Sequence, residues 1–123
     1  MHVSARAPSA DDQANQRLVS AWVLLGRGEQ LARQGARQEA GPWLWLLAAN
    51  AIGLARDAVE SIHPAAPRSD ALQVPDGRTC LDLVQAAAGQ LGGIPAGHEP
   101  PGLWLALEHL ARARDEVGSR NRR

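Results

Sequence analysis

The chain has 123 residues, with 13 basic and 13 acidic side chains and therefore no formal net charge. A length of this order is typical of one domain that folds without a disulfide or a structural metal. Because opposite charges balance, general electrostatic attraction to nucleic acids or to anionic lipids is not expected. The composition therefore argues against a nucleic-acid partner.

Cysteine content and apolar runs indicate the compartment. Cys80 is the only cysteine, which excludes an intrachain disulfide and favours a reducing environment. The first residues contain no apolar stretch like that of a signal peptide, and the longest apolar run, 43–49, has seven residues. A membrane helix needs about 20. We therefore expect a soluble, cytoplasmic protein without a membrane segment.

The residue types predict helices. All basic residues are arginine, alanine and leucine are frequent, and the aromatic residues are four tryptophans with no phenylalanine or tyrosine. These abundant residues favour helices, whereas the β-branched and aromatic residues of strands are scarce. The sequence predicts an all-α, four-helix bundle-like domain over residues 10–117. A disordered arm, 1–9, precedes it, and a frayed tail, 118–123, follows it.

The first helix is predicted over residues 10–37. Ser9 and Asp12 have the spacing of an N-cap and its first turn. Apolar side chains then recur every three or four residues at Leu18, Trp22, Leu25 and Ala32. Three later glycines either weaken this helix or let a neighbouring helix approach closely, and the sequence leaves both options open; they are Gly26, Gly28 and Gly35.

The second helix is predicted over residues 42–62, because Pro42 suits a first turn and Pro64 prevents continuation. It carries two apolar stripes, which predicts burial on two sides. Such a helix is either central in the fold or part of a subunit interface. The first apolar stripe consists of Trp45, Ala49, Ile52, Ala55 and Val59, and the second apolar stripe of Leu44, Leu47, Ala51, Leu54, Ala58 and Ile62.

A long connection, 63–78, separates the second and third helices. Its three prolines and Asp76-Gly77 are typical of a loop. We expect Leu72 and Val74 to attach it to the core, with a short helical turn at 69–72. A crossover along the bundle is the favoured interpretation, and a lid over a site is the alternative.

The last two helices are predicted from local signals. Thr79 and Asp82 have the spacing of a capping box, and Gly92-Gly93 ends the third helix. Pro100-Pro101 opens the fourth helix, which extends to Val117. The apolar positions are Leu81, Val84, Ala87, Ala88 and Leu91 in the third helix, and Leu103, Ala106, Leu107, Leu110, Ala113 and Val117 in the fourth.

One internal similarity links the second and fourth helices. A shift of 58 residues aligns 42–59 with 100–117 without a gap, and the apolar stripes stay in register. Chance and duplication both explain such a match in helices rich in alanine, leucine and arginine. A duplication implies two related helical hairpins packed into a bundle. The second apolar stripe aligns mostly with polar residues, so the second helix buries something that the fourth does not.

Arg56 and His63 form the one candidate catalytic pair. Their spacing resembles the loose pattern of HEPN-type ribonucleases, in which an arginine and a histidine are separated by four to six residues. That resemblance implies a small helical dimer that cleaves RNA with these two side chains. The alternative is structural: His63 interacts with the negative end of the helix, and Arg56 pairs with Glu60.

No metal or cofactor site is expected. Glu60 and His63 have the spacing of a di-iron ligand pair but lack a second copy, and Cys80, His98 and His109 form no zinc pattern. Cys80 near a helix start has either a lowered pKa or a core position. Asn50 and His109 are interpreted as core polar groups, or otherwise as cavity-lining ones. The arginines of 112–123 are interpreted as a solvated helix end, with a contact to RNA or DNA as the alternative.

The tryptophans are the strongest functional lead. Trp43 and Trp45 are two residues apart and cannot share a helix face, so one should be in the core and the other at a loop, partner or ligand. Trp104 occupies the matching start of the fourth helix, which predicts a cluster at one end of the bundle. Bulky filling of a core without phenylalanine is the alternative.

The sequence favours a non-enzymatic interaction or regulatory module that forms a homodimer through the second apolar stripe. Another protein is a further potential partner. The HEPN-like ribonuclease and a small-ligand binder with a tryptophan-lined cavity are the alternatives. The predicted interface or ligand residues are Trp43, Leu44, Trp45, Leu47, Leu54, Ile62 and Trp104.

Overall fold

The computed structural model describes residues 9–38, 43–64, 74 and 77–121. Four helices account for most of this part of the chain: α1, Ala10–Gln38; α2, Trp43–Ile62; α3, Cys80–Gly92; and α4, Leu103–Asn121. None of the described helices is long and apolar enough to cross a membrane. The all-α bundle is confirmed, and α4 extends four residues past the predicted end. Leu72, the turn at 69–72 and the arm at 1–8 lie outside the described residues.

Two of the helix starts are fixed by the predicted capping chemistry. The Asp12 N–H donates to Ser9 Oγ over 3.1 Å at the start of α1. At α3, the Asp82 N–H donates to Thr79 Oγ1 and the Thr79 N–H donates to Asp82 Oδ2, both over 3.1 Å. Each bond satisfies a backbone or side-chain group that the first helical turn leaves without a partner. Local spacing was therefore sufficient to predict both starts.

The helices form two antiparallel hairpins, α1–α2 and α3–α4. In the first hairpin, Trp22 and Gly26 of α1 lie next to Glu60 and Arg56 of α2. The hairpins pack with α1 antiparallel to α3, since Cys80 at the start of α3 reaches Gly28 and the later Gln90 reaches Arg17. They also pack with α2 antiparallel to α4, since Gly102 lies beside Ile62 at the end of α2.

This arrangement makes α2 and α3 parallel and places them diagonally across the bundle. The described ends of the connection, Ile62 near Leu18 and Cys80 near Gly28, lie about 15 Å apart along the bundle, and the crossover between them stays a prediction. Val74, within that connection, packs against the core as predicted. The architecture is the one that two related hairpins would adopt.

The core is entirely apolar, since no polar or charged residue of the described part of the chain is buried. Four members of the first apolar stripe are almost fully buried, namely Ala49, Ile52, Ala55 and Val59. In α3 the predicted face is rotated slightly: Leu83 is fully buried, whereas Leu81 is only partly buried. The bundle interior is therefore built from small and branched aliphatic side chains, with tryptophans at its margins.

The glycines of α1 mark close approaches. A Cβ at Gly28 would lie 3.7 Å from Leu83 Cβ of α3, and a Cβ at Gly35 would lie 2.8 Å from the Trp45 ring of α2. The second distance is shorter than real Cβ contacts, so only glycine allows the indole to lie there. Of the two options, the glycines act as contact points, and α1 continues through them.

The two sides of α2 are covered by different helices of the same chain. The side that carries Gly53, Arg56 and Glu60 packs against α1, and we call it the α1 flank. The side that carries Ala51 and Ile62 packs against α4, and we call it the α4 flank. Burial of α2 on two sides, as predicted, is therefore supplied by helices of the same chain.

The second apolar stripe lies along the α4 flank, and its members differ in how deeply they are buried. Ala51 is buried, and Leu44, Ala58 and Ile62 are partly buried. Leu47 and Leu54, farther from the bundle axis, are 37% and 39% exposed. Most of the burial that was expected from another chain is thus supplied by α4, and two leucines remain at the surface.

Candidate functional site

The outer face of the α2–α4 pair carries a row of three exposed leucines, Leu47, Leu54 and Leu105, which we call the leucine row. Leu105 is 39% exposed, as is Leu54. Leu47 and Leu54 are seven residues apart, two helical turns, and so lie on one side of α2. The third leucine belongs to the neighbouring helix, so its position depends on how the two helices are related.

Leu105 lies on the same outer face for a geometric reason. The 58-residue shift that aligns α2 with α4 also superposes their buried positions, for example Ile52 on Leu110 and Val59 on Val117. Antiparallel helices that bury equivalent stripes are related by a local two-fold axis normal to their outer face. Leu105 is the equivalent of Leu47, so the leucine row extends diagonally for about 17 Å at 1.5 Å per residue.

The neighbouring residue Leu46 does not belong to this row. It is 42% exposed, but one residue along a helix corresponds to a rotation of about 100°. This rotation directs Leu46 away from the α4 flank and toward the side of α2 that faces α1. Leu46 is therefore a natural reference for Leu47, with the same residue type, helix and degree of exposure.

The tryptophans separate into interior and surface positions. Trp45 packs against Gly35 and the core, while Trp43 is 68% exposed, as expected for two residues on different helix faces. Trp104 is equally exposed but lies near the C-terminal end of α2, because Gly102 is beside Ile62. Trp43 and Trp104 are thus about 25 Å apart along the bundle. The predicted cluster at one end is wrong, since α4 runs antiparallel to α2.

Arg56 and His63 do not form a paired site. Arg56 Nη1 lies 3.6 Å from Glu29 Oε1, and its guanidinium carbon lies 5.9 Å from the Trp22 ring centroid. His63 follows the last turn of α2, where its N–H donates to the Val59 carbonyl over 2.9 Å. Seven residues of helix separate the two by about 10 Å along the axis. No hydrogen bond or ion pair joins these two described side chains.

The predicted ion pair between Arg56 and Glu60 is also absent. Glu60 Oε1 instead accepts a hydrogen bond from Trp22 Nε1 over 3.2 Å, and Arg56 pairs with Glu29 across the hairpin. Arg33 donates to Glu29 Oε2 through Nε at 3.1 Å and Nη2 at 2.9 Å. Partners on α1 therefore replace the intrahelical partner, because the α1–α2 contact brings Glu29 closer to the guanidinium.

A cleft of about 430 Å³ opens along this network on the surface of the first hairpin. Its polar wall contains Glu29 and three arginines, and its apolar wall contains Trp22 and two valines. Trp43, Trp45 and Trp104 do not line it, so only one tryptophan contributes. The lining residues are Trp22, Val23, Gly26, Arg27, Glu29, Gln30, Arg33, Arg56 and Val74.

Cys80 is a core residue and not an activated thiol. It is 5% exposed, and its Sγ–H donates to the Gly28 carbonyl over 3.4 Å. Burial raises the pKa of the thiol from 9.0 to about 11, because the interior disfavours the thiolate. The option of a lowered pKa is wrong, since desolvation outweighs the field at the start of α3.

The remaining polar candidates lie at the surface. Asn50 is exposed and His109 is half-buried, so their interpretation as core polar groups is wrong. His98 Nδ1 lies 3.5 Å from Asp11 Oδ1 at an exposed loop. Among the residues that the structure describes, no three histidine, cysteine or acidic side chains converge on a potential metal site. Arg112 and Arg114 are exposed on α4, and the other side chains of the basic cluster lie outside the described part.

The fold and these surfaces can be set beside known proteins. Comparison with protein-family models, with curated proteins and with solved structures gives no match to this chain. A functional proposal must therefore depend on the geometry of the leucine row and of the cleft beside Trp22.

Proposed function

We propose that this protein is a non-enzymatic interaction module that forms a homodimer, with the outer face of the α2–α4 pair as the contact surface. The leucine row carries the proposal. Three large aliphatic side chains on one face, each more than a third exposed, are a more specific signal than scattered surface leucines. Their burial against a second copy would remove this apolar surface from water.

The local two-fold relation between α2 and α4 supports a second copy as the occupant. Leu47 and Leu105 occupy equivalent positions in the two helices, so the face presents similar chemistry at both ends. An isologous dimer requires a surface that is complementary to itself. Arg112 and Glu108, both exposed beside the row on α4, supply the opposite charges with which two such faces can pair.

The size and charge of the surface are also suitable. The 20 residues of α2 extend for about 30 Å, and two packed helices are about 20 Å wide, which gives a face of about 600 Å². A standard interface buries about 800 Å² per partner, so the face can provide most of a stable contact. The zero net charge of the chain removes overall repulsion between copies.

The oligomeric state tests this proposal. Sedimentation velocity of the full chain over a range of concentrations should show a reversible dimer. Leu47→Glu and Leu54→Glu should each weaken the dimer by at least about tenfold, because a carboxylate would be buried at the contact. Circular dichroism of each variant would establish that the helices still form.

Leu46→Glu is the matched control, since it adds the same charge one residue away on a different side of α2. This variant should associate like the wild type. If the wild-type protein stayed monomeric at high concentration, the homodimer proposal would be contradicted. The leucine row would then be a contact surface for a different protein. Equal dissociation by Leu46→Glu and Leu47→Glu would contradict the position of the interface.

The ribonuclease alternative has less support. The Arg56 guanidinium pairs with Glu29 and lies over Trp22. His63 lies two helical turns farther along α2. A general acid–base pair must reach the same reacting group within hydrogen-bond distance. We therefore do not carry Arg56 and His63 forward as a catalytic pair.

A further inference from the structure

The cleft beside Trp22 is shaped by two glycines on facing helices. A Cβ at Gly53 of α2 would lie 3.3 Å from Glu29 Oε1, so the absent side chain leaves space for the carboxylate. Within the part of the chain that the structure describes, a Cβ at Gly26 of α1 would meet only Arg56, at 3.9 Å from Nη1, so no described side chain fills the space above Gly26. The cleft therefore has an open floor at Gly26 and a nearly buried carboxylate on one wall.

The charges of the lining are unbalanced. Among the described lining residues, three carry guanidinium groups, namely Arg27, Arg33 and Arg56, and Glu29 carries the one carboxylate, which gives an excess of two positive charges. Arg33 and Arg56 share Glu29. Arg27 has only a hydrogen bond to the neutral Gln30, over 3.2 Å. The Arg27 charge is thus available to an anion from solution.

The carboxylate itself retains an unused acceptor. Both hydrogen bonds from Arg33 go to Glu29 Oε2, whereas Glu29 Oε1 is buried and accepts no hydrogen bond from the described residues. Buried polar atoms are usually satisfied, and an exception suggests a missing donor. Arg56 Nη1, 3.6 Å away, is the cation nearest to this oxygen, so charge and not a hydrogen bond pairs the two groups.

The opposite wall is apolar and fixed. Trp22 is held by its hydrogen bond to Glu60, and Val23 and Val74 extend the apolar surface beside it. We propose that the cleft binds a small organic anion whose apolar body lies against Trp22 and whose acidic group faces Arg27 and Arg56. Concave sites that combine an apolar wall with a few convergent polar groups are typical of ligand pockets.

This site does not depend on the proposed dimer. The cleft lies on the α1 flank of α2, and the leucine row lies on its α4 flank. Loss of one function therefore leaves the other intact, and the two proposals can fail separately.

Matched probes test the ligand class. Naphthalene-2-sulfonate has both the apolar body and the acidic group, 2-naphthalenemethanol has only the body, and inorganic sulfate has only the charge. Titration of the full chain followed by NMR of the four indole N–H resonances should show saturable binding of the sulfonate at Trp22. Its dissociation constant should be on the order of 1 mM or lower, and both other probes should bind at least about threefold more weakly. The Trp22→Phe variant assigns the resonance.

Two substitutions locate the site, each with a control. Arg27→Gln removes the available charge without touching the Glu29 network, and Gly26→Gln fills the open floor. Arg27→Gln should weaken sulfonate binding by about three- to fivefold, and Gly26→Gln should abolish it. Arg114→Gln, an exposed arginine on α4, and Gly89→Gln, a glycine with no atom near its Cβ position, should bind like the wild type.

The outcomes are distinct. Selective shifts at Trp22 that are lost in Gly26→Gln would support the proposal. The absence of saturable sulfonate binding, equal affinity for the neutral analogue, or equal losses in the Gly89→Gln control would overturn it. In that case Arg56 and Glu29 serve only to hold α1 against α2.

Discussion

The two flanks of α2 are covered in physically different ways. On the α1 flank, Glu29 and Arg56 pair across the helices, and Trp45 fills the space that Gly35 leaves. On the α4 flank the contact is apolar: Ala51 is buried, and Leu54 lies at its outer edge. The first contact combines directional polar bonds with close packing, whereas the contacts described for the second are apolar.

This difference indicates where the molecule can accept a partner. Specific side-chain pairs fix the register of α2 against α1 and leave little of the α1 flank exposed. Substitutions on this flank should therefore lower the stability of the fold. An apolar flank with exposed leucines can be extended by another apolar surface at no cost in broken bonds. Specific pairs therefore fix α2 against α1, whereas its other side keeps exposed leucines at the edge of an apolar contact.

The largest effect should come from Ile52, which is fully buried and reaches Gly28 of α1. Ile52→Ala should lower the free energy of unfolding by about 2–5 kcal/mol, since the α1 contact would enclose a cavity. Leu54→Ala, at the edge of the α4 flank, should cost less than about 1 kcal/mol in the monomer. Urea denaturation at low protein concentration measures both values. Similar losses in the two variants would show that the flanks do not differ.

A smaller effect is expected at the closest approach of the α1 flank. Gly35→Ala should lower stability by about 1–3 kcal/mol, because the added Cβ would collide with the Trp45 ring. Gly89→Ala, on an open surface of α3, should raise stability by up to about 1 kcal/mol through helix propensity alone. Thermal unfolding of both variants gives the comparison. If both changes stabilise the protein, the approach is looser than described.

A pH-dependent effect concerns the other contact of α1, where Cys80 of α3 meets Gly28. The pKa of this thiol is about 11 in the fold against 9.0 ordinarily, so the unfolded chain loses its proton first as pH rises. Stability contributed by the thiol is complete below pH 9 and should fall between pH 9 and 11. The chain contains no lysine or tyrosine to obscure this range.

The Cys80→Ala variant serves as the reference for that titration. Its stability should vary less between pH 9 and 11 than that of the wild type, as measured by urea denaturation at each pH. Thiolate absorbance of the folded protein gives the pKa directly. A midpoint near the ordinary value would mean that α1 does not shield the thiol.

Features that depend on neighbouring residues could be predicted from the sequence. The Ser9 and Thr79 caps follow from three-residue spacing, and the burial of the first apolar stripe follows from helical periodicity. The interior position of one of Trp43 and Trp45 follows from the same geometry. Such inferences succeed because a single helix fixes the relevant distances.

Features that depend on how the helices pack against one another could not be predicted from the sequence. The pairing of Arg56 with Glu29 and not Glu60 requires the register of α1 against α2. The separation of Trp43 from Trp104 requires the direction of α4, and the partial coverage of Leu54 requires knowledge of which helix packs there. The cleft beside Trp22 was missed for the same reason, although the glycines in a charged stretch of α1 were a signal for it.

The parallel, diagonal placement of α2 and α3 has a consequence for folding kinetics. All contacts inside a hairpin join segments that are close in sequence, so each hairpin closes a short loop at low entropic cost. Only the joining of the two hairpins requires distant segments to meet. Such a topology has low contact order and should fold rapidly, with hairpin association as the slow step. A chain interrupted between Pro64 and Gly77 would then supply two fragments that assemble from solution, and the rate of assembly would depend on their concentration.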